Sequence, residues 1–194
     1  TADLGRLDPD HVVGIHLNMV VAAPRAEGGE LTEPELAALA AYDDHRRWGT
    51  GYSKQQSTRP QTLGYGLVDS PAGQCAWIVE KFWAWTDCDG HPENALSRDQ
   101  MLDNVMLYWL PVTGAASARL YWESFTKPGL DPVAVPTGCS LFPKEIIRLP
   151  RRWAESRFTD LRYWHEVERG GHFAAFEQPA LFVDEVRSFF RLVR

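Results

Sequence analysis

The sequence predicts an α/β protein with a parallel sheet and a long helical block inserted after the first strand. Short apolar segments alternate with segments of helical periodicity, which is typical of parallel strands joined by helices. The interval of about a hundred residues between the first and second predicted strands is much longer than an ordinary crossover. The content of 44% hydrophobic and 24% charged residues is that of a globular domain of ordinary composition.

The first predicted elements are the end of a helix and a strand. Apolar residues 2, 4 and 7 precede Asp8-Pro9, a pair that ends a helix. Residues 11–20 are mostly apolar and rich in β-branched side chains, as expected of a strand buried on both faces. Because the sequence opens directly in the end of a helix, we expect it to be the C-terminal piece of a longer protein.

Helices are predicted through the middle of the chain. Thr32 can cap a helix that has acidic residues in its first turn and arginines in its last. Residues 51–67 are polar and interrupted by a proline and two glycines. Pro71 suits the first position of a helix with a dense aromatic face, Ser97 caps the next helix, and a shorter helix begins at Gly114.

The pattern returns to strands near residue 131. Residues 133–135 (Val-Ala-Val) read as a short buried strand, followed by a loop through Pro143. Residues 151–158 suit a short helix, and residues 160–171 suit a strand that ends at a pair of glycines. The remaining residues, from 175 onward, predict one amphipathic helix.

This order predicts a core made of residues 1–21 and 130–194, with residues 22–129 forming a helical lid. The net charge of −6 provides no basic footprint, so we expect no nucleic-acid partner. No apolar run approaches the length needed to cross a bilayer. The three cysteines are widely spaced and suggest neither a metal site nor a disulfide framework, so we expect a cytoplasmic protein.

Two polar residues follow predicted strands and are the candidates for chemistry. Glu145 lies in the loop after residues 133–135, and His172 directly follows Gly170-Gly171. The carboxyl ends of parallel strands meet at one edge of the sheet, where catalytic groups collect. An acid placed after one strand and a histidine after the next suits a carboxylate that orients a general base, and the glycines permit unusual backbone angles.

The spacing alone leaves the role of His172 open. Six histidines are present, and a histidine in a loop is commonly a polar surface residue. Asp131, Glu166 and Glu168 compete with Glu145 as the carboxylate partner.

Several motifs together resemble one enzyme family. The segments PTGCSLFPKEI and RGGHFAAFEQPALFVDEVRSFF resemble microsomal-type epoxide hydrolases of the α/β-hydrolase fold. HLNMV, STRPQTLGYGLVDSPAG, EKFWAWTD and NVMLYWL resemble the same family in the same order, so the likeness covers nearly the whole chain. The resemblance implies that Glu145 is the acid, that His172 is the base, and that Tyr52 and Tyr121 are lid phenols that hydrogen-bond the epoxide oxygen. It implies no cofactor and no metal.

The resemblance also implies a two-step reaction on an apolar organic epoxide. An aspartate attacks the epoxide to form a glycol ester, and His172 then activates water to release the diol. Neither Asp3 nor Asp8 suits the nucleophile, because neither follows a strand on a tight turn. We therefore expect the nucleophile in a companion N-terminal segment or chain. The other partners are the epoxide and water, and a homodimer is compatible with the sequence.

Other interpretations stay open. A serine esterase or a haloalkane dehalogenase would share the fold, and the identity of the upstream nucleophile would distinguish them. A non-catalytic binding protein is a third possibility, since fold alone does not determine function. The lid tryptophans predict either lid core or the lining of an apolar pocket; they are Trp77, Trp83, Trp85, Trp109 and Trp122.

Overall fold

A computed structural model describes residues 1–24, 30–124 and 129–194. The chain divides into two compact units, Thr1–Asp43 with Gly129–Arg194, and Asp44–Pro128. We call them the strand-bearing unit and the helical unit. Residues 30–43, which the sequence placed in the lid, group with the strands. The assignment of the helical unit as a lid stays a prediction.

The strand-bearing unit is built from parallel strands and flanking helices. Its strands are β1 (Ile15–Leu17), β2 (Thr137–Leu141) and β3 (Leu161–Glu166). Its helices are α1 (Ala2–Leu7), α2 (Glu33–Asp44, whose last residue begins the helical unit), α8 (Arg151–Arg157), α9 (Ala174–Glu177) and α10 (Pro179–Phe190).

The helical unit follows in chain order between α2 and β2. Its helices are α3 (Gly51–Thr58), α4 (Pro60–Asp69), α5 (Pro71–Trp85), α6 (Arg98–Trp109) and α7 (Gly114–Ser124), with a π-helical turn at His45–Gly49 and a 3₁₀ turn at Pro92–Asn94. No helix in the described ranges combines the length and apolar character needed to span a membrane.

The strands confirm the predicted parallel sheet. Among the described residues they form one sheet in the order β1-β2-β3 with every neighbour parallel. Ile15 lies opposite Thr137, and Leu17 lies opposite Cys139. The first strand is shorter than predicted.

The position predicted for the second strand was wrong. Residues 133–135 lie outside β2, which begins at Thr137 in the stretch predicted as a loop. Thr-Gly-Cys-Ser is turn-like in composition, yet all five residues of β2 are buried. A Cβ atom at Gly138 would lie 2.5 Å from the ring of Phe189, so the small residue allows α10 to pack directly on the sheet.

Hydrogen bonds of two arginines secure the chain around α8. Arg152 donates from Nε and Nη2 to the carboxylate of Glu35 at 2.9 and 2.8 Å, and Glu35 is 1% exposed. Arg157 donates to the carbonyl oxygens of Val21 and Gly129, each at 2.6 Å. Val21 and Gly129 flank the inserted block. The buried guanidinium of Arg157 therefore joins the segment that precedes the block to the segment that follows it.

Local capping explains several helix starts. Ser70 accepts a hydrogen bond from the backbone of Gly73 at the start of α5, and Ser97 forms a reciprocal capping box with Gln100 at the start of α6. The region around Pro60 is more helical than its composition indicates, because Pro60 occupies the first turn of α4. The last predicted helix is divided into α9 and α10, since Pro179 begins a new helix.

Candidate active site

The loops that follow β2 and β3 pair through their backbones, which brings the predicted acid and histidine together. The Lys144 N–H donates to the carbonyl oxygen of Gly170 at 3.1 Å, and Lys144 forms an isolated parallel bridge with Gly171. Glu145 and His172 each come next in sequence. Both residues therefore lie beyond the carboxyl ends of neighbouring strands, as the sequence predicted.

The two side chains form a short hydrogen bond. His172 Nδ1–H donates to Glu145 Oε1 at 2.6 Å, and Oε1 also accepts from the Ile146 backbone N–H at 2.7 Å. The Glu145 side chain is 1% exposed and the His172 ring is 24% exposed. A buried carboxylate on Nδ1 fixes the ring orientation and the tautomer, and it stabilises the protonated ring.

The acids that competed with Glu145 in the sequence lie near arginines instead, and Asp131 is 3.9 Å from Arg6. Glu166 receives a hydrogen bond from Arg148 at 3.3 Å, and Glu168 pairs with Arg169 at 3.8 Å. Both carboxylates are exposed on the surface. The described contacts thus place Glu145, and not these acids, against the histidine.

The glycine pair forms a buried turn, at the place where the sequence predicted unusual backbone angles. Gly170 has φ +106°, and a Cβ atom there would lie 2.9 Å from Cδ1 of Phe142. A side chain at position 170 would be both strained and crowded. Gly171 is buried but does not share the left-handed conformation, so Gly170 is the glycine that the turn requires.

The helical unit brings the two predicted tyrosines together. The rings of Tyr52 on α3 and Tyr121 on α7 lie 5.8 Å apart in an edge-to-face arrangement. Burial raises the pKa of the Tyr52 phenol, and the charge and hydrogen bonding of Tyr121 raise it further. Tyr52 therefore remains a protonated donor at neutral pH.

The lid tryptophans do not share one environment. Trp85 packs with its ring 5.2 Å from that of Tyr52. Trp83 and Trp122 are each 54% exposed, so they are not lid core. Trp77 is partly buried and donates from Nε1 to Gln56 Oε1 at 3.0 Å.

A second histidine–carboxylate cluster, which the sequence did not reveal, lies between the sheet and α10. Glu185 Oε2 accepts from the hydroxyls of Ser140 and Tyr163 at 2.7 and 2.9 Å, and Oε1 accepts from His165 Nδ1–H at 2.9 Å. His16 Nε2–H donates to Ser140 Oγ at 2.9 Å. These residues, which we call the Glu185 network, connect all three described strands to α10.

The Glu185 network has the character of a structural cross-link. Ser140 has no exposed surface and Glu185 is 5% exposed. Burial lowers the pKa of His16 to about 4, against an opposing effect of the Glu185 charge. The signal that the sequence offers is on β1, where His16 lies between Ile15 and Leu17, but the link to Glu185 depends on α10 packing far along the chain. In residues 1–24, 30–124 and 129–194, no cluster of His, Cys, Asp and Glu could hold a metal ion.

Comparisons with known proteins are consistent with this geometry. No family model matches the chain. A protein of Stigmatella aurantiaca that is provisionally named an epoxide hydrolase is 51% identical over all of this chain and 44% of its own length. Epoxide hydrolase 1 of Sus scrofa is 35% identical over 98% of this chain and 48% of its own. The solved structure of Aspergillus niger epoxide hydrolase matches with a TM-score of 0.84 and 31% identity, over 100% of this chain and 49% of that one.

The parallel sheet, with its histidine and carboxylate at the ends of adjacent strands, has the α/β-hydrolase fold. Within that fold, the chain belongs to the epoxide hydrolase family. The chain spans about half the length of the curated relatives it matches.

Proposed function

We propose that this chain supplies the acid, the base and the phenol donors of an epoxide hydrolase that converts an apolar organic epoxide to a vicinal diol. The hydrogen bond of 2.6 Å between His172 and the buried Glu145 carries the proposal. The similarity to named epoxide hydrolases over the full chain supports it. The nucleophile would be an aspartate in a companion N-terminal segment or chain, since the relatives are about twice as long.

In the first step, a carboxylate oxygen attacks an epoxide carbon. The carbon–oxygen bond of the strained ring breaks, and its electron pair stays on the departing oxygen. Tyr52 and Tyr121 would donate to this oxygen, because an alkoxide in a dry site needs a proton or a strong hydrogen bond. The half-buried phenol pair suits this role, since the two rings lie 5.8 Å apart and burial raises the pKa of Tyr52, which keeps that phenol protonated at neutral pH.

In the second step, His172 would remove a proton from water, which attacks the carbonyl carbon of the ester. The ester bond breaks, the imidazolium gives its proton to the departing alcohol oxygen, the diol leaves, and the carboxylate is regenerated with one oxygen from water. Glu145 would stabilise the imidazolium that forms and keep Nδ1 as the protonated nitrogen. Its nearly complete burial strengthens this interaction, because little solvent screens it.

We also propose a cytoplasmic location. Cys75, Cys88 and Cys139 are unpaired, and two of them are buried. A reducing compartment is the ordinary setting for such thiols.

An isotope experiment on the full-length protein tests the proposed reaction. Enzyme in excess over an alkyl or aryl epoxide is mixed in ¹⁸O-labelled water, and the diol from a single turnover is analysed by mass spectrometry. The ester route predicts an unlabelled diol, because its new oxygen comes from the carboxylate. Labelled diol would contradict the ester route, and the absence of diol with several epoxides would favour a serine esterase or a binding protein.

A further inference from the structure

A lysine lies over the face of one of the paired phenols. The Lys81 ammonium on α5 is 4.5 Å from the ring centroid of Tyr52 and 5.1 Å from that of Trp85. Lys81 and Trp85 are four residues apart on one helix and therefore share a face. The Lys81 side chain is only 18% exposed, although it carries a charge.

The surroundings of Lys81 hold the ammonium in place. The rings of Tyr52 and Trp85 lie edge-to-face at 5.2 Å, so the ammonium interacts with both. The carboxylate of Glu80 also contacts the Lys81 ammonium, and because the Glu80 side chain is 51% exposed, water shares in solvating that carboxylate. Burying most of a lysine against two aromatic faces is costly unless the cation–π contacts compensate.

We propose that Lys81 is a positioning residue for the ring-opening step, acting through Tyr52. This inference rests on the proposed epoxide hydrolase function. Lys81 would hold the Tyr52 ring in place and make its hydroxyl a stronger donor to the departing epoxide oxygen.

The effect follows from where negative charge develops. As the epoxide bond breaks, its electron pair moves to oxygen and the Tyr52 hydroxyl proton shifts towards it. The phenol then gains partial phenolate character, and an electron-rich ring attracts a cation over its face more strongly than a neutral ring does. An interaction that is stronger in the transition state than in the ground state accelerates the step.

Because Tyr52 is half-buried, a positive charge near its ring is useful when the phenol gains negative charge. Burial raises the pKa of Tyr52, which means that its environment opposes negative charge on the phenol. The Tyr121 hydroxyl would also donate to the epoxide oxygen, but it carries no positive charge. The described cation nearest to the Tyr52 ring face is Lys81.

Variants of the full-length protein separate charge from packing. Lys81→Met keeps an unbranched side chain against Tyr52 and Trp85 and removes the charge. Lys81→Arg keeps the charge. Lys54→Met is the matched control, because Lys54 lies on the same helix as Tyr52 but is exposed, with its ammonium 3.5 Å from the Arg46 carbonyl oxygen.

The rate of ester formation is measured by rapid quench and intact mass in a His172→Gln background, where the ester should persist. The rate of ester hydrolysis is measured with His172 present. We expect Lys81→Met to slow ester formation about tenfold and to leave hydrolysis within about twofold. Lys81→Arg should restore most of the rate, and Lys54→Met should match the parent.

Two results would overturn the inference: ester formation in Lys81→Met within about twofold of the parent, or equal losses in Lys81→Met and Lys81→Arg. If Lys81→Met does not fold, Lys81→Gln provides the uncharged side chain for the same comparison. Failure of the proposed function is distinguishable, because the parent itself would then form no ester.

Discussion

Glu145 and Glu185 are both buried carboxylates that bind a histidine, and they differ in what else surrounds them. Glu185 accepts hydrogen bonds from two hydroxyls as well as from His165, all across the packed face between the sheet and α10. Glu145 lies in a loop, and its described hydrogen bonds from His172 and a backbone N–H both reach the same oxygen. One carboxylate joins elements of the core, whereas the other orients a single ring.

A histidine bound to a buried carboxylate therefore does not by itself indicate catalysis. Ser140, His16 and Glu185 have the residue types of a catalytic triad, but Ser140 is fully buried and its hydroxyl donates directly to the acid. A catalytic base must instead be oriented at the carboxyl ends of the strands, where His172 lies. Location within the sheet therefore favours a structural role for the Glu185 network and supports the catalytic role that we propose for His172.

The largest difference should come from replacing His172 and His165, the histidines bound to Glu145 and Glu185, one at a time. In the full-length protein, His172→Gln should lower kcat for diol formation about a thousandfold, because the general base is lost. His165→Gln should leave kcat within about threefold, since His165 only contributes to the Glu185 network. Steady-state assays with one epoxide compare the variants. Equal losses of kcat would show that the two histidines do not differ in their roles.

Removing the acids should separate activity from stability. Glu185→Gln should lower the free energy of unfolding by about 4 kcal/mol, because it disrupts a buried network with three donors, while kcat per folded molecule is retained. Glu145→Gln should do the reverse, with a loss of about a hundredfold in kcat and a smaller loss of stability. Denaturant unfolding and kinetics on both variants measure this, and a fall in kcat for folded Glu185→Gln would argue for a catalytic network.

The Glu185 network should also give stability a specific pH dependence. The pKa of His16 is lowered from 6.5 to about 4, so between these values the unfolded chain binds a proton that the folded chain does not. The contribution of His16 to the free energy of unfolding is therefore complete above pH 6.5, and it falls by about 3 kcal/mol as the pH is lowered to 4.

Denaturant unfolding at several pH values checks this effect against His16→Gln, which can still donate to Ser140 but does not titrate. The variant should lose less stability than the parent over the same range. Identical pH profiles would mean that His16 is not buried as a neutral ring.

The smallest effect should come from a surface pair of the same chemistry. His11 Nδ1 lies 2.6 Å from Asp8 Oδ1, but the two side chains are 83% and 50% exposed. His11→Gln should change neither the melting temperature nor kcat measurably, because solvent screens the pair. Differential scanning fluorimetry and the diol assay provide the check. A clear change in the melting temperature or in kcat would show that solvent exposure does not determine how much a histidine–carboxylate pair contributes.

Short-range signals in the sequence predicted much of the fold. Pro71 and Ser97 correctly marked helix starts, because the signals that begin a helix depend on residues within one turn. Glu145 and His172 were predicted to lie close together because each follows a strand, and their hydrogen bond confirms that proximity. Strand β2 was misplaced, since its small residues are suited to packing under Phe189, a contact made far along the chain.

Contacts that join distant segments could not be read from the sequence. The Glu185 network unites side chains from β1, β2, β3 and α10, and no local pattern relates them. The position of Lys81 over Tyr52 likewise depends on how α5 packs against α3. Tyr52 and Tyr121 were selected by family resemblance, because a tyrosine in a helix has no distinguishing local signal.

His172 should release an ester that an upstream carboxylate has formed, and intact mass spectrometry can detect that ester on the protein. Full-length His172→Gln is mixed with an excess of an aryl or alkyl epoxide, with His165→Gln as the control. We expect a stable mass gain equal to that of the epoxide in His172→Gln and none in His165→Gln. Diol formation by His172→Gln at the parent rate without any adduct would contradict it.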